Sequence, residues 1–184
     1  MSPLLSTAGR NATAVAVLLL AVAARPAAAC AFDGTIGLNL APAHPQALGV
    51  AMSVRAAADA GVLDAALLDP NAAGTMGFVR ANHRLYRLGM SFAASDEAMP
   101  PLAVLFVESS LWTRYAGSLP QVHAPGAEAG DVVAVTSEAV VAALLDGRLS
   151  GADAVRRGLI SLDGPPEAVQ RAGQALDAAF PSRG

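Results

Sequence analysis

Lysine is absent from this sequence, cysteine occurs once, and aromatic residues make up only 4% of the chain. The 12 basic residues are all arginines and form no basic run, so the cationic surface typical of nucleic-acid-binding proteins is missing. A lone cysteine, Cys30, cannot form a disulfide within the chain. No apolar run reaches the roughly 20 residues that a membrane-spanning helix needs. We therefore expect no nucleic-acid partner, no internal disulfide and no transmembrane helix in the mature chain.

The first 30 residues have the order of an export signal. Arg10 precedes an apolar run over residues 12–24, and small residues follow up to Cys30. We expect residues 1–29 to be a cleaved signal peptide and the exported protein to begin at Cys30. Cleavage removes Arg10, Arg25 and no acidic residue, so the formal net charge falls from −3 to −5, ten arginines against 15 carboxylates.

Cys30 directly follows Ala27-Ala28-Ala29, and two interpretations remain open. The stretch resembles the lipobox of bacterial lipoproteins, in which this cysteine becomes the acylated N-terminus, although Ala27 stands where that motif usually carries leucine. Alternatively, ordinary signal cleavage leaves a free N-terminal thiol. The expected localisation is therefore periplasmic, or membrane-anchored through acylated Cys30.

The rest of the chain predicts one α+β domain. Residues 30–43, rich in glycine and proline, are expected to form a tether, and residues 44–182 a single domain large enough for one core. Helical and strand patterns predict, in chain order, helices 45–60 and 75–94, strands 102–109, 111–115 and 132–135, a helix ending at Leu145, a short helix opening at Ser150, a strand over 159–162 and a last helix over 165–179. We expect a small, mostly antiparallel sheet packed against the N-terminal and C-terminal helices.

The second predicted helix has an apolar stripe and a cationic face. Four apolar residues recur at helical spacing and predict a buried stripe: Met76, Val79, Tyr86 and Met90. Arg80, Arg84 and Arg87 share another face at i, i+4 and i+7. This face either recognises a carboxylate or an acidic partner surface, or is an ordinary solvated helix face.

Residues 130–169 resemble the sterol carrier protein family. In that family, a strand beginning near an aspartate runs into a Ser/Thr-capped helix ending at glycine, and a second short helix leads through A-x-x-x-G-x-[IL] to a strand that closes at glycine. The corresponding residues here are Asp131, Thr136, Ser137, Gly147, Ala154, Gly158, Ile160 and Gly164. The Pro165-Pro166 pair, the additional helices over 44–95 and the export signal depart from the family's pattern.

The resemblance covers about residues 100–180. It implies a twisted sheet backed by helices, often enclosing an apolar tunnel for acyl chains or sterols. Trp112, in the strand hairpin, is the candidate reporter of such a cavity. Because fold alone does not determine function, the ligand is an expectation by analogy.

Metal binding would have to draw on a scattered set of soft ligands: Cys30, His44, His83, His123, Met52, Met90 and Met99. No two histidines stand at the spacing of a zinc or copper site. We interpret Met52 and Met90 as core side chains and expect no metal and no cofactor. An accessory role in an exported metal or redox system, using Cys30 with His and Met, is the alternative function.

Catalytic motifs are lacking as well. The sequence contains no G-x-S-x-G elbow, no G-x-G-x-x-G and no P-loop, and Glu108-Ser109-Ser110 at a strand end is the place for a polar cleft if the protein were a small enzyme. The favoured interpretation is an exported, non-catalytic binding or accessory protein for an apolar small molecule or a periplasmic protein partner. Its candidate ligand- or partner-binding residues are Arg80, Arg84, Arg87 and Trp112.

Overall fold

The computed structural model describes residues 44–69, 74–117 and 119–182, which belong to one compact unit, Ala31–Gly184. Cys30 and the predicted tether lie outside the described residues. The described helices are α1 (Ala47–Asp59), α2 (Gly74–Ala93), α3 (Glu138–Leu145), α4 (Gly151–Arg156) and α5 (Pro166–Ala179), with a 3-10 turn at Ala65–Leu67. The strands are β1 (Leu102–Phe106), β2 (Leu111–Tyr115), β3 (Gln121–Val122), β4 (Val132–Thr136) and β5 (Ser161–Asp163). The predicted α+β class is confirmed.

These strands form one sheet in the order β3-β2-β1-β4-β5. β1 and β2 make an antiparallel hairpin in which Leu102 faces Tyr115, and β2–β3 and β4–β5 are antiparallel as well. β1 and β4 run parallel, with Leu102 beside Val132. The sheet is therefore mostly antiparallel, as predicted, with one parallel pair at its centre.

Both faces of β1 are buried, and different elements cover the two faces. Side chains alternate between faces along a strand, so Leu102 and Val104 point to one face and Leu105 to the other. Tyr115, the partner of Leu102, donates its hydroxyl hydrogen bond to the Leu85 carbonyl oxygen of α2 at 2.9 Å. Helix α2 therefore covers the Leu102 face of the sheet.

Helix α2 turns a different stripe inward from the one predicted. Its buried apolar side chains are Ala81, Leu85, Leu88 and Phe92. The prediction that Met76, Val79, Tyr86 and Met90 are buried is wrong: their exposed fractions are 69, 52, 46 and 70%. The interpretation of Met52 and Met90 as core side chains is also wrong, since Met52 is 67% exposed. Helix α2 has apolar residues on two faces, and helical periodicity alone does not choose between them.

The ends of the C-terminal helices follow the local signals. The Ser137 hydroxyl accepts a hydrogen bond from the Val140 amide at 3.2 Å, and the Ser150 hydroxyl accepts one from the Asp153 amide at 3.1 Å, so each serine is an N-cap. Gly147 and Gly158 follow the ends of α3 and α4 with φ of 68° and 65°, a region that favours glycine. The strand predicted over 102–109 ends earlier, at Phe106, because residues 107–110 form the hairpin turn.

Candidate functional site

An apolar cavity lies between the sheet and the helices that cover its Leu102 face. Its lining residues are Leu88, Phe92, Met99, Leu102, Val104, Ala134, Thr136, Val141, Leu144, Ile160, Leu162, Ala172 and Leu176. Thr136 is the polar member of this lining, and its hydroxyl already donates to the Leu159 carbonyl oxygen at 3.1 Å. The space that the centre of a water molecule can reach is about 20 Å³. This inner cavity holds about one water-sized molecule and offers it little to hydrogen-bond, so it is expected to be dry.

A larger groove opens beside this inner cavity. On the same measure its volume is about 550 Å³, within the range of small-molecule sites. Its wall combines apolar side chains such as Tyr115 and Leu119 with Asp96 and Glu97. Phe92 and Met99 line both spaces, so these two side chains separate the outer groove from the inner cavity.

Trp112 is not among the residues that line the inner cavity. Its register partner in β1 is Leu105, which points to the face opposite Val104. Trp112 is half-buried on that opposite face, where it packs against the core. Its role in ligand binding stays a prediction, but its position makes it a poor reporter of this cavity.

Two of the three predicted arginines meet a buried carboxylate. The Glu138 side chain, 8% exposed in the first turn of α3, accepts hydrogen bonds from Arg80 Nε at 2.8 Å and from Arg84 Nη1. Arg80 Nη2 also reaches Glu138 Oε2 at 3.4 Å. The hydrogen bond to Glu138 raises the pKa of Arg80. This part of the cationic face therefore ties α2 to α3, whereas Arg87 is exposed.

A second carboxylate, that of Glu108, lies beside this ion pair. Glu108 Oε1 accepts a hydrogen bond from the Glu138 amide at 2.9 Å, whereas Glu108 Oε2 is buried without a hydrogen-bond partner among the described residues. Burial raises the pKa of Glu108 from its ordinary value of 4.5 to about 7, and the nearby Glu138 charge adds to this. We call Glu108, Glu138, Arg80 and Arg84 the carboxylate–arginine cluster. It sits where β1 and β4 end.

Sequence reasoning missed the role of Glu138. In the sequence it follows the N-cap Ser137 and reads as an ordinary acid in the first turn of a helix, where the helix dipole favours one. The signal in the sequence was its position just after the buried strand β4, where a carboxylate becomes buried and needs a cationic partner. Pairing with Arg80, 58 residues away, is a tertiary contact that no local pattern contains.

A further buried acid, Asp131, precedes β4. Its carboxylate accepts hydrogen bonds from Arg114 Nε at 2.7 Å and from the Glu128 amide at 2.8 Å. The Arg114 guanidinium holds the pKa of Asp131 below its ordinary value of 3.8. Asp131 is therefore a structural residue that fixes the entry into β4, as its place in the sequence predicted.

The described histidines do not come together. His44 Nε2 lies 3.3 Å from Asp163 Oδ2, His83 is exposed on α2, and the His123 ring lies 5.1 Å from that of Phe78. Within residues 44–69, 74–117 and 119–182, no three His, Cys, Asp or Glu residues are grouped to hold a metal ion. In the same residues, no helix combines the length and the apolar character that crossing a membrane requires.

Comparison with known proteins yields structural likenesses. No protein-family model and no curated protein matches the sequence. The fold is similar to a UbiJ-SCP2 ubiquinone synthesis protein, with a TM-score of 0.32 and 19% identity over 57% of this chain and 98% of that one. The structure comparison thus also returns a sterol carrier protein domain, the family that the sequence resembles.

Two further solved structures share part of the fold. One is the stereoselective inverting sec-alkylsulfatase Pisa1 from Pseudomonas sp., with a TM-score of 0.32 and 16% identity over 42% of this chain. The other is a double mutant of that enzyme, with a TM-score of 0.34 and 18% identity over 56% of this chain. This chain spans 13% and 16% of their lengths, a small part of each enzyme.

Proposed function

We propose that this chain is an exported, non-catalytic binding protein for an apolar small molecule. The observation that carries the proposal is the inner cavity, whose walls are apolar apart from the satisfied hydroxyl of Thr136. An apolar cavity stays dry and accepts an apolar guest, because no hydrogen bond to water is lost when the guest enters.

A guest larger than one water molecule requires the inner cavity to open toward the outer groove. Phe92 and Met99 are the side chains that separate the two spaces. Met99 is half-buried in the segment between α2 and β1, and a methionine side chain adapts readily because it is unbranched and flexible. We infer that the guest enters from the groove by displacing Met99.

We expect palmitate, the probe, to raise the melting temperature of the full chain by about 5 °C at saturation. A ligand that binds the native state alone stabilises it by mass action, and about 2 kcal/mol corresponds to a few degrees in a domain of this size. Thermal unfolding followed by circular dichroism measures the shift. Trp112 emission should change little, because this side chain lies on the other face of the sheet.

Two methionine variants test the route of entry. Met99→Ala widens the passage and is expected to accelerate palmitate association in stopped-flow measurements. Met52→Ala removes an equally large side chain from an exposed position on α1 and should leave the rate unchanged. An unchanged melting temperature at saturating palmitate contradicts the apolar-ligand proposal. Equal palmitate association rates for Met99→Ala and Met52→Ala contradict entry past Met99 but leave the apolar-ligand proposal standing.

The compartment is part of the same proposal and rests on residues 1–30. Intact-mass measurement of the protein recovered from its own envelope fraction is expected to show a chain starting at Cys30. Added diacyl mass identifies the acylated form, and the plain mass identifies ordinary cleavage. A mature chain that retains residues 12–24 contradicts the export signal itself.

A further inference from the structure

The outward face of α2 carries an apolar stripe that the fold leaves uncovered among the described residues. The outer stripe consists of Met76, Val79, His83, Tyr86 and Met90, all exposed. Their steps of three, four, three and four residues are those of the two seam positions of a heptad repeat. At 1.5 Å per residue the stripe is about 21 Å long.

This stripe is opposite to the face that α2 buries. Leu85 and Leu88 pack into the core, and Arg84 is held inward by Glu138, so the orientation of α2 about its axis is fixed. Surface residues scattered singly need no explanation. A row of four large apolar side chains with His83 at its centre on one helix is typical of an interaction site, and methionine is favoured where a surface adapts to its partner.

The charges beside the stripe indicate the chemistry of the partner. Helix α2 contains no acidic residue. Arg87 directly follows Tyr86 of the stripe and is exposed. Arg80 and Arg84 both contact Glu138, and the charge of Asp64 also acts on Arg80, so Arg87 is the positive charge left over. The edge of the stripe, formed by Arg80, Arg84 and Arg87, is therefore cationic, and a binding partner with acidic residues would complement it.

We infer that the outer stripe binds an amphipathic helix of another protein that carries an apolar seam and acidic flanking residues. A second copy of this chain fits less well, because a paired α2 would bring no acid to oppose Arg87. An anionic lipid surface fits less well because the chain carries a net charge of −3, and of −5 without residues 1–29. Such a helix would pack its apolar seam against the outer stripe and place its acidic residues beside the exposed Arg87.

The test uses two synthetic helices of three heptads, with leucine at the seam positions and either glutamate or lysine at the flanking positions. Labelled peptide is titrated with the full chain and followed by fluorescence anisotropy. The acidic helix is expected to bind severalfold more tightly than the basic one, because each exposed ion pair contributes up to about fivefold in affinity. Arg87→Glu is expected to reverse this order.

Two exposed methionines supply the matched controls. Met90→Ser removes a stripe residue that is 70% exposed and should weaken binding of the acidic helix by about tenfold while leaving the melting temperature unchanged. Met52→Ser, on α1, should change neither quantity.

Four results overturn the inference: no binding of the acidic helix, equal binding of both helices, an order that survives Arg87→Glu, or equal effects of the two methionine variants. Self-association in sedimentation velocity that Met90→Ser abolishes would assign the stripe to a second copy. Flotation with phosphatidylcholine–phosphatidylglycerol vesicles that Met90→Ser abolishes would assign it to a lipid surface.

Discussion

Glu138→Gln is expected to lower the free energy of unfolding by about 3 kcal/mol, because it removes the carboxylate that two arginines share. Glu138 is buried and accepts hydrogen bonds from Arg80 at 2.8 Å and from Arg84. Glutamine keeps the shape but removes the negative charge that both guanidinium groups contact, and Arg80 keeps only the attraction of Asp64. The loss lies at the lower end of the usual range for broken buried pairs because Arg80 and Arg84 stay partly exposed, at 29 and 20%.

Urea unfolding at neutral pH measures this loss. Glu167→Gln is the matched control, since Glu167 is an exposed acid in the first turn of α5, and its effect should stay within about 0.5 kcal/mol. A loss from Glu138→Gln no larger than that of the control would show that the ion pair contributes nothing. Arg84→Ala is likewise expected to cost more than the roughly 0.5 kcal/mol of a change on a solvated helix face, because it leaves Glu138 with one arginine.

Glu108 is expected to make the protein less stable as the pH rises from about 4.5 to about 7. Burial raises its pKa to about 7 in the folded chain, whereas the unfolded chain loses the same proton near 4.5. The folded state therefore binds more protons in this window. The contribution of Glu108 to stability is greatest below pH 4.5, falls by on the order of 3 kcal/mol up to pH 7, and is constant above it.

Glu108→Gln should remove this slope and stabilise the protein at pH 8, because the amide is neutral at every pH. Free energies of unfolding measured at pH 5 and pH 8 test it, with Glu97→Gln, an exposed acid, as the control that keeps the slope. Among the described residues, Asp131 is the other carboxylate with a shifted pKa. Its pKa is lowered from 3.8, so its effect on stability falls below pH 4.5 and outside this window. A variant that retains the full slope would assign the pH dependence to another group.

The groups that face Glu108 explain why a carboxylate is tolerated there. Its Oε1 atom accepts from the Glu138 amide, and the Ser137 hydroxyl is a further hydrogen-bonding partner. Glu138 itself pairs with Arg80 and Arg84, although its charge still contributes to the raised pKa of Glu108. The amide and the hydroxyl stabilise the charged form, but burial outweighs them.

Local chemistry made the C-terminal half predictable. The first cap was predicted at Thr136 or Ser137 and is Ser137, and Ser150 caps the next helix as predicted. Gly147 and Gly158 follow the helix ends, because caps act on backbone groups within a few residues. The hairpin strand β2 was placed at its observed bounds, residues 111–115. These signals depend on hydrogen bonds and backbone angles that a short segment determines by itself.

Other features depend on which elements meet. The position of Trp112 follows from its register with Leu105, and the two-residue strand β3 forms because β2 offers it a free edge. No segment of the sequence contains this pairing. The proposed apolar cavity likewise depends on how closely α2, α3 and α5 approach the sheet.

By itself, the sequence determined most helix caps, the class of fold and a helix over residues 75–94, observed at Gly74–Ala93, because these depend on neighbouring residues. The tertiary structure decided which face of α2 is buried. Met76, Val79, Tyr86 and Met90 have the same period as the stripe through Leu85, so the pattern allowed either orientation. Contacts with distant residues made the choice. Glu138 pairs with Arg80 and Arg84, and the Tyr115 hydroxyl donates a hydrogen bond to the Leu85 carbonyl oxygen. The outer stripe therefore faces outward.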